Sequence, residues 1–167
     1  SQLFVSLIND ALIQPTYPAS LAGLNANLAA TPSGIAIRIG GYDDKQPEFI
    51  AFILEQVLTA PLSAERFQTL KRSLIRNLQN TTKDKPYNQA LARLETALLS
   101  SRWSATDRAA LLEQITLEQL RTWRRTTFAE LAVTGGLHGN VNINDAERLA
   151  ELLTTVLPIS RHQRVRP

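Results

Sequence analysis

His138 and His162 are the only histidines among 167 residues, and there is no cysteine. A hydrolytic zinc centre needs about three protein ligands and an open position for water. These two histidines stand far apart in unlike contexts, and neither His-Glu-x-x-His nor His-x-x-Glu-His occurs. His138 therefore reads as a strand-end residue whose ring packs or bonds locally, and His162 as a solvated member of a basic tail. The absence of cysteine excludes a disulfide framework, a thiol nucleophile and every thiolate metal site. Gly135-Gly136-Leu137-His138-Gly139-Asn140 is glycine-rich, but a Walker loop continues with Lys and Ser or Thr, and here Asn140-Val141 follows. A dinucleotide fingerprint fails for want of a third glycine at the needed offset, and no Gly-x-Ser-x-Gly elbow is present. The carboxylate pair Asp43-Asp44 lies at an expected helix start, where negative charge complements the helix dipole without any catalytic role. The residues give no catalytic and no metal site.

The remaining candidate is a basic cluster. Arg121, Arg124 and Arg125 flank Trp123, and Lys71, Arg72 and Arg76 share one expected helix. Residues 61–128 carry twelve basic and six acidic groups, whereas residues 1–60 carry two and five. Basic patches with an aromatic can bind phosphates or stack a base. A +6 balance is modest, however, and Trp123 sits where a short helix needs an apolar contact. The cluster reads as a solvated helix face around a core Trp, with an acidic peptide or protein surface as the alternative partner. No nucleic-acid partner is expected.

These residues must be positioned by something, and the periodicities say what. Leu3, Leu7, Ile8 and Leu12 share one helical face, with Pro15 and Pro18 expected to end or bend that helix. Leu24, Ala26, Leu28 and Ala30 alternate, Thr31-Pro32-Ser33-Gly34 supplies a turn, and Ile35, Ile37 and Ile39 alternate again, closed by Gly40-Gly41. That is a β-hairpin. Asp43 or Asp44 then caps a helix with Pro47 in its first turn and Phe49, Ile50, Ile53, Leu54 and Val57 along it. Ser63 caps a second helix carrying Phe67, Leu70, Leu74 and Leu78, and Pro86 opens a third through Leu91, Leu94 and Leu98. Ser104 with Asp107 and Thr116 with Gln119 resemble capping boxes. Leu131 to His138 reads as a strand, and Asn144 with Glu147 caps a last helix with Leu149, Leu152, Leu153 and Val156 on its buried face.

At 44% apolar and 20% charged residues, with a net charge of +3, the chain is a folded domain rather than a disordered one. No apolar run approaches the roughly 18 residues of a spanning helix, so no membrane partner is expected. The class is α/β (α+β), with helices packed on one face of an antiparallel or mixed sheet. Three strands make a poor sheet for so many helices. With no methionine in the chain, strands are expected to precede Ser1 in a longer protein. The absence of cysteine does not separate a cytoplasmic from a periplasmic location.

The order of short motifs adds a family. Leu21-Ala22-Gly23-Leu24 precedes the hairpin, Gly41-Tyr42-Asp43-Asp44-Lys45-Gln46-Pro47 links strand to helix, and Leu137-His138-Gly139-Asn140-Val141 closes the late strand. Together they resemble the middle (third, non-catalytic) domain of the insulinase/pitrilysin family of zinc metalloproteases, over Leu3 to about Pro158. Two bacterial subgroups fit the motifs, pitrilysin-like proteases and the protease of pyrroloquinoline quinone biosynthesis, with a slight lean to the latter. The resemblance implies four related α/β domains closing around a peptide chamber, with zinc held only in the first by His-x-x-Glu-His and a further Glu. It implies residues 1–158 as a non-catalytic domain without its first strands, and 159–167 as a basic tail or linker.

On that reading the matching residues are scaffold. Gly23 and Gly41 suit tight backbone geometry, Tyr42 buries a ring while its hydroxyl finds a partner, Asp43 or Asp44 caps a helix, and His138, Gly139 and Asn140 form a strand exit. The implied partners are the other domains of the same chain and a peptide substrate, with no cofactor in these residues and zinc in the parent's catalytic domain. Two alternatives stay open: a freestanding basic helix-rich binding module, and an inactive subunit of a two-chain protease. The chain alone is expected to bind no stoichiometric zinc in titration calorimetry. Tight binding that disappears in His138→Ala would contradict this.

Overall fold

The computed structural model describes residues 1–42, 44–99 and 103–160. The elements run α1 (Gln2–Leu21), β1 (Asn25–Thr31), β2 (Gly34–Gly40), α2 (Gln46–Thr59), α3 (Ala64–Asn80), a 3-10 turn at Thr81–Lys83, α4 (Pro86–Leu98), α5 (Ala105–Gln114), α6 (Leu117–Thr127) and α7 (Ile143–Val156). This is a helix-rich α+β fold, whose sheet among the described residues is the two-stranded β1–β2 hairpin. No helix among the described residues is long and apolar enough to cross a membrane.

The chain divides into two compact units. The first comprises Ser1–Asp10, Leu28–Ile37 and Pro61–Leu120. Leu3, Phe4, Leu7 and Ile8 of α1 are buried in it, as are Leu28 of β1, Phe67, Leu74 and Leu78 of α3, Ala109 of α5 and Leu120 of α6. Within it α3 packs against α5. Asn9 fastens β1 to α1: its amide nitrogen donates to the Leu28 carbonyl at 2.9 Å and its oxygen accepts from the Leu28 N–H at 3.2 Å. One side chain thus satisfies both peptide groups of a residue on an edge strand, where they would otherwise lack a ladder partner.

The second unit comprises Ala11–Asn27, Arg38–Ala60 and Arg121–Pro167. Its core is Leu12, Leu24, Phe49, Ile53, Leu54, Val57, Ala60 and Leu157, and α2 packs against α7 within it. The apolar positions expected along α2 are those buried, except that Ile50 is half-buried. Trp123 is half-buried rather than a full core residue, edge-on to Phe128 with ring centroids 6.4 Å apart.

Helix starts follow the sequence where a hydroxyl stands at the cap. The Ser63 hydroxyl accepts from the Arg66 N–H, and the Ser104 hydroxyl accepts from the Asp107 N–H at 3.1 Å. The Thr116–Gln119 pair is fully reciprocal, at 2.9 and 3.2 Å. Pro86 opens α4 as expected.

Four local expectations are corrected. Pro15 and Pro18 lie inside α1 and do not end it. Both are exposed, as are Ala11 and Gln14, whose carbonyls lose their helical N–H partner, so solvent satisfies what the ring removes. α2 starts after Lys45 with no side-chain cap, Asp44 standing one residue too early; Pro47 and Glu48 fill the first turn instead. Asp43 lies outside the described residues. α7 is capped by Asn142 in a reciprocal box with Asp145, two residues ahead of Asn144, and its leucines are half-buried. Finally, Leu131 to His138 forms no strand: Leu131 alone bridges Ile159, in parallel sense. Beyond it, Gly135-Gly136 interrupts the run, and no neighbouring strand among the described residues offers a ladder.

Asp10 and Arg66 form a bidentate ion pair through both carboxylate oxygens. The guanidinium bonds and charge hold the Asp10 carboxyl below its ordinary pKa, against a smaller opposing effect of burial. A depressed folded value means stabilisation that is present above the unfolded pKa of about 4 and lost as pH falls through the folded one. The Arg66 side chain is 50% exposed, so the effect is modest. Urea midpoints of wild type and Asp10→Asn should differ at about pH 7 and draw together as pH falls below about 4. A difference that persists unchanged in acid would contradict the assignment.

Candidate functional site

Two of the three sequence motifs meet where α1 gives way to the hairpin. α1 ends in a Schellman turn. The Gly23 N–H donates to the Ser20 carbonyl at 3.1 Å and the Leu24 N–H to the Ala19 carbonyl at 2.9 Å. This pattern places Gly23 in a left-handed conformation, φ +84°, and lets Leu24 turn inward, where it is 6% exposed. Leu21 and Ala22, just before it, are exposed.

At the other end of the hairpin Gly41 has φ +130°, and a Cβ built there would lie 2.3 Å from the Gly23 carbonyl oxygen and 2.8 Å from the Leu24 Cα. Only a glycine permits that approach. A Cβ on Gly23 would lie 2.8 Å from Cε2 of Tyr42, so the tyrosine ring rests over Gly23. Two of the three motifs are therefore halves of one junction that closes the base of the hairpin. Tyr42 is 75% exposed, contrary to the expectation of a buried ring, because it covers a backbone turn rather than filling a core. Asp44, two residues on, is exposed.

The third motif stays apart from chemistry. Leu137 is 41% exposed, and His138, Gly139 and Asn140 are exposed. Among the described residues no three His, Asp or Glu side chains are placed to hold a metal. His162, Arg161, Arg164 and Arg166 lie outside the described residues. Among the described residues the donor set does not fit a zinc ion.

The basic cluster has structural employment. Lys71 Nζ donates to the Glu113 and Ile115 carbonyls at 3.0 and 2.7 Å, at the end of α5, and lies 5.7 Å from the centre of the Phe67 ring. Arg124 donates to the Ala60 carbonyl at 2.6 Å, where α2 ends. Burial, and secondarily the charge of Arg121, draws the Arg124 pKa below the ordinary guanidinium value. Both cations neutralise helix C-termini.

A surface that sequence reasoning missed accompanies the junction. Ile13, Tyr17 and Leu21, spaced by four on α1, are 65%, 62% and 73% exposed. The spacing was legible, but Pro15 and Pro18 masked it by suggesting that the helix stops. Tyr42, also exposed, lies in the same unit.

Gly41→Ala should cost about 3 kcal/mol or more in urea unfolding, because both backbone conformation and contact oppose a methyl group. Gly23→Ala should cost about 1–2 kcal/mol, since the exposed Tyr42 ring can move aside. Gly136→Ala, with nothing within 4 Å of its added carbon, should cost under about 0.5 kcal/mol. Equal costs at all three positions would contradict the junction.

Comparison with known proteins gives the junction its context. Residues 1–111 match the family described as the middle or third domain of peptidase M16. The chain is 28% identical over 155 residues to human insulin-degrading enzyme, covering 93% of the chain and 15% of that protein. It is 29% identical over 163 residues to the A-factor-processing enzyme of Saccharomyces cerevisiae, covering 97% and 16%. A Caenorhabditis elegans protein whose name describes a zinc protease is 27% identical over 156 residues, covering 91% and 18%. The chain thus spans about 15% of the length of the curated relatives it matches. With two-thirds of its residues under the family's description and a helix-rich α+β fold, the chain belongs to the middle-domain family of the M16, or insulinase-type, peptidases.

Proposed function

We propose that residues 1–158 act as a non-catalytic domain of a zinc metallopeptidase, helping to form the closed chamber that holds peptides for hydrolysis by a zinc site in another domain. Residues 159–167 serve as a tail or linker. The observation that carries this reading is the match of nearly the whole chain to a short stretch of relatives named for degrading insulin or processing A-factor. The partners on this reading are the other domains of the same polypeptide and the peptide itself. Assignment to a bacterial pyrroloquinoline quinone protease, the finer sequence expectation, draws no support from these relatives, which are eukaryotic.

Within the domain the chemistry is contact, not bond breaking. Ile13, Tyr17, Leu21 and Tyr42 expose apolar side chains and two phenolic hydroxyls, which suit side chains and backbone of an enclosed peptide. The freestanding basic module is disfavoured because Lys71 and Arg124 spend their charge on the protein's own carbonyls.

The native polypeptide that contains the chain should hydrolyse peptides in a chelator-sensitive way. In it, Tyr17→Ser with Tyr42→Ser should raise KM several-fold and leave kcat within about twofold, as expected for groups that hold substrate and transition state alike. A fall in kcat at unchanged KM, or the absence of chelator-sensitive hydrolysis, would contradict the reading.

A further inference from the structure

α4 is mounted with its apolar side outward. Tyr87, Leu91, Leu94 and Leu98 recur at spacings of four, three and four, which puts them on one face of the helix. They are 60%, 55%, 54% and 72% exposed, and Leu99 just beyond is 47% exposed. No residue of α4 is buried. The half-buried positions are Gln89 and Thr96, seven apart on the opposite face. Gln89 secures that inner face by donating to the carbonyls of Thr82 at 3.0 Å and Asp84 at 2.8 Å. A helix that bonds inward through a glutamine and shows its leucines to solvent reverses the ordinary amphipathic arrangement.

We infer that this leucine face is the surface on which an uncharged amphipathic helix from another domain of the same polypeptide docks. The inference rests on the reading above that the chain works within a longer peptidase. The seam's pattern is that of knobs packing into a facing helix, and Ala90 and Ala97 at its flank allow close approach. The charged residues of α4 are one cation and one anion, Arg93 and Glu95, so the face offers no net charge to recruit a charged partner.

Area selects a tethered occupant over a second copy of the chain. At on the order of 100 Å² per leucine-sized side chain, the seam buries on the order of 400 Å². A stable free-standing complex buries about 800 Å² per partner. A partner on the same polypeptide needs less, because the tether supplies a high effective concentration.

Hydroxyl-radical footprinting of the native polypeptide, folded and in urea, tests this. Tyr87, Leu91, Leu94 and Leu98 should be labelled at least about fivefold more slowly when folded, independently of protein concentration. Labelling at near-unfolded rates would overturn the inference. So would protection that appears only as concentration rises, because that marks a second copy. Peptide hydrolysis assayed on the same sample separates the two readings. Hydrolysis with a bare α4 sinks the docking surface alone, whereas protection without hydrolysis supports docking and sinks the peptidase reading.

Discussion

The close approach of two backbones at Gly41 and Gly23 is the constraint on which the hairpin and its neighbours depend. α1 must stop, reverse and deliver Leu24 inward within three residues, and the Schellman turn does this by leaving Gly23 in a conformation that side chains resist. β2 must return to the same point, and the Gly23 carbonyl occupies the space a Gly41 side chain would need. From there the chain enters α2, whose Phe49, Ile53, Leu54 and Val57 are buried in the same unit. The first two motifs are thus a signature of chain reversal.

The electrostatics point the same way. In an enzyme site, perturbed ionisation is expected where a proton or a bond moves. Among the described residues the displaced groups are Asp10 and Arg66, an ion pair between elements, Glu48 in the first turn of α2, the Ser1 amino group, and Arg124, which closes a helix end. Lys71 closes another. The charge that makes residues 61–128 look like a binding patch is partly consumed in holding helices in place.

What the sequence made legible was what local chemistry decides. The hairpin turn at Pro32–Ser33 and the hydroxyl caps at Ser63, Ser104 and Thr116 each depend on residues within about one turn of one another. The readings that failed depended on surroundings. Pro15 and Pro18 end a helix only where the freed carbonyls cannot reach water, and here they can. Asn144 with Glu147 fits the box pattern, but the helix starts two residues earlier, where Asn142 closes its box with Asp145. The alternation from Leu131 to His138 needs a partner strand before it becomes a ladder, and the described residues supply Ile159 for one bridge. The outward mounting of the α4 leucines was hidden too, because spacing names a face without saying which way it points. At the junction, the glycines were recognisable from type and position, whereas the contact between them, 18 residues apart, required the fold.

Sequencing the native reading frame around Ser1–Pro167 tests the central claim most directly. The account predicts an open frame several times longer than this chain, with His-x-x-Glu-His encoded outside it. A frame confined to these residues would contradict a peptidase's middle domain, and any zinc-dependent proteolysis would then belong to a separate protein.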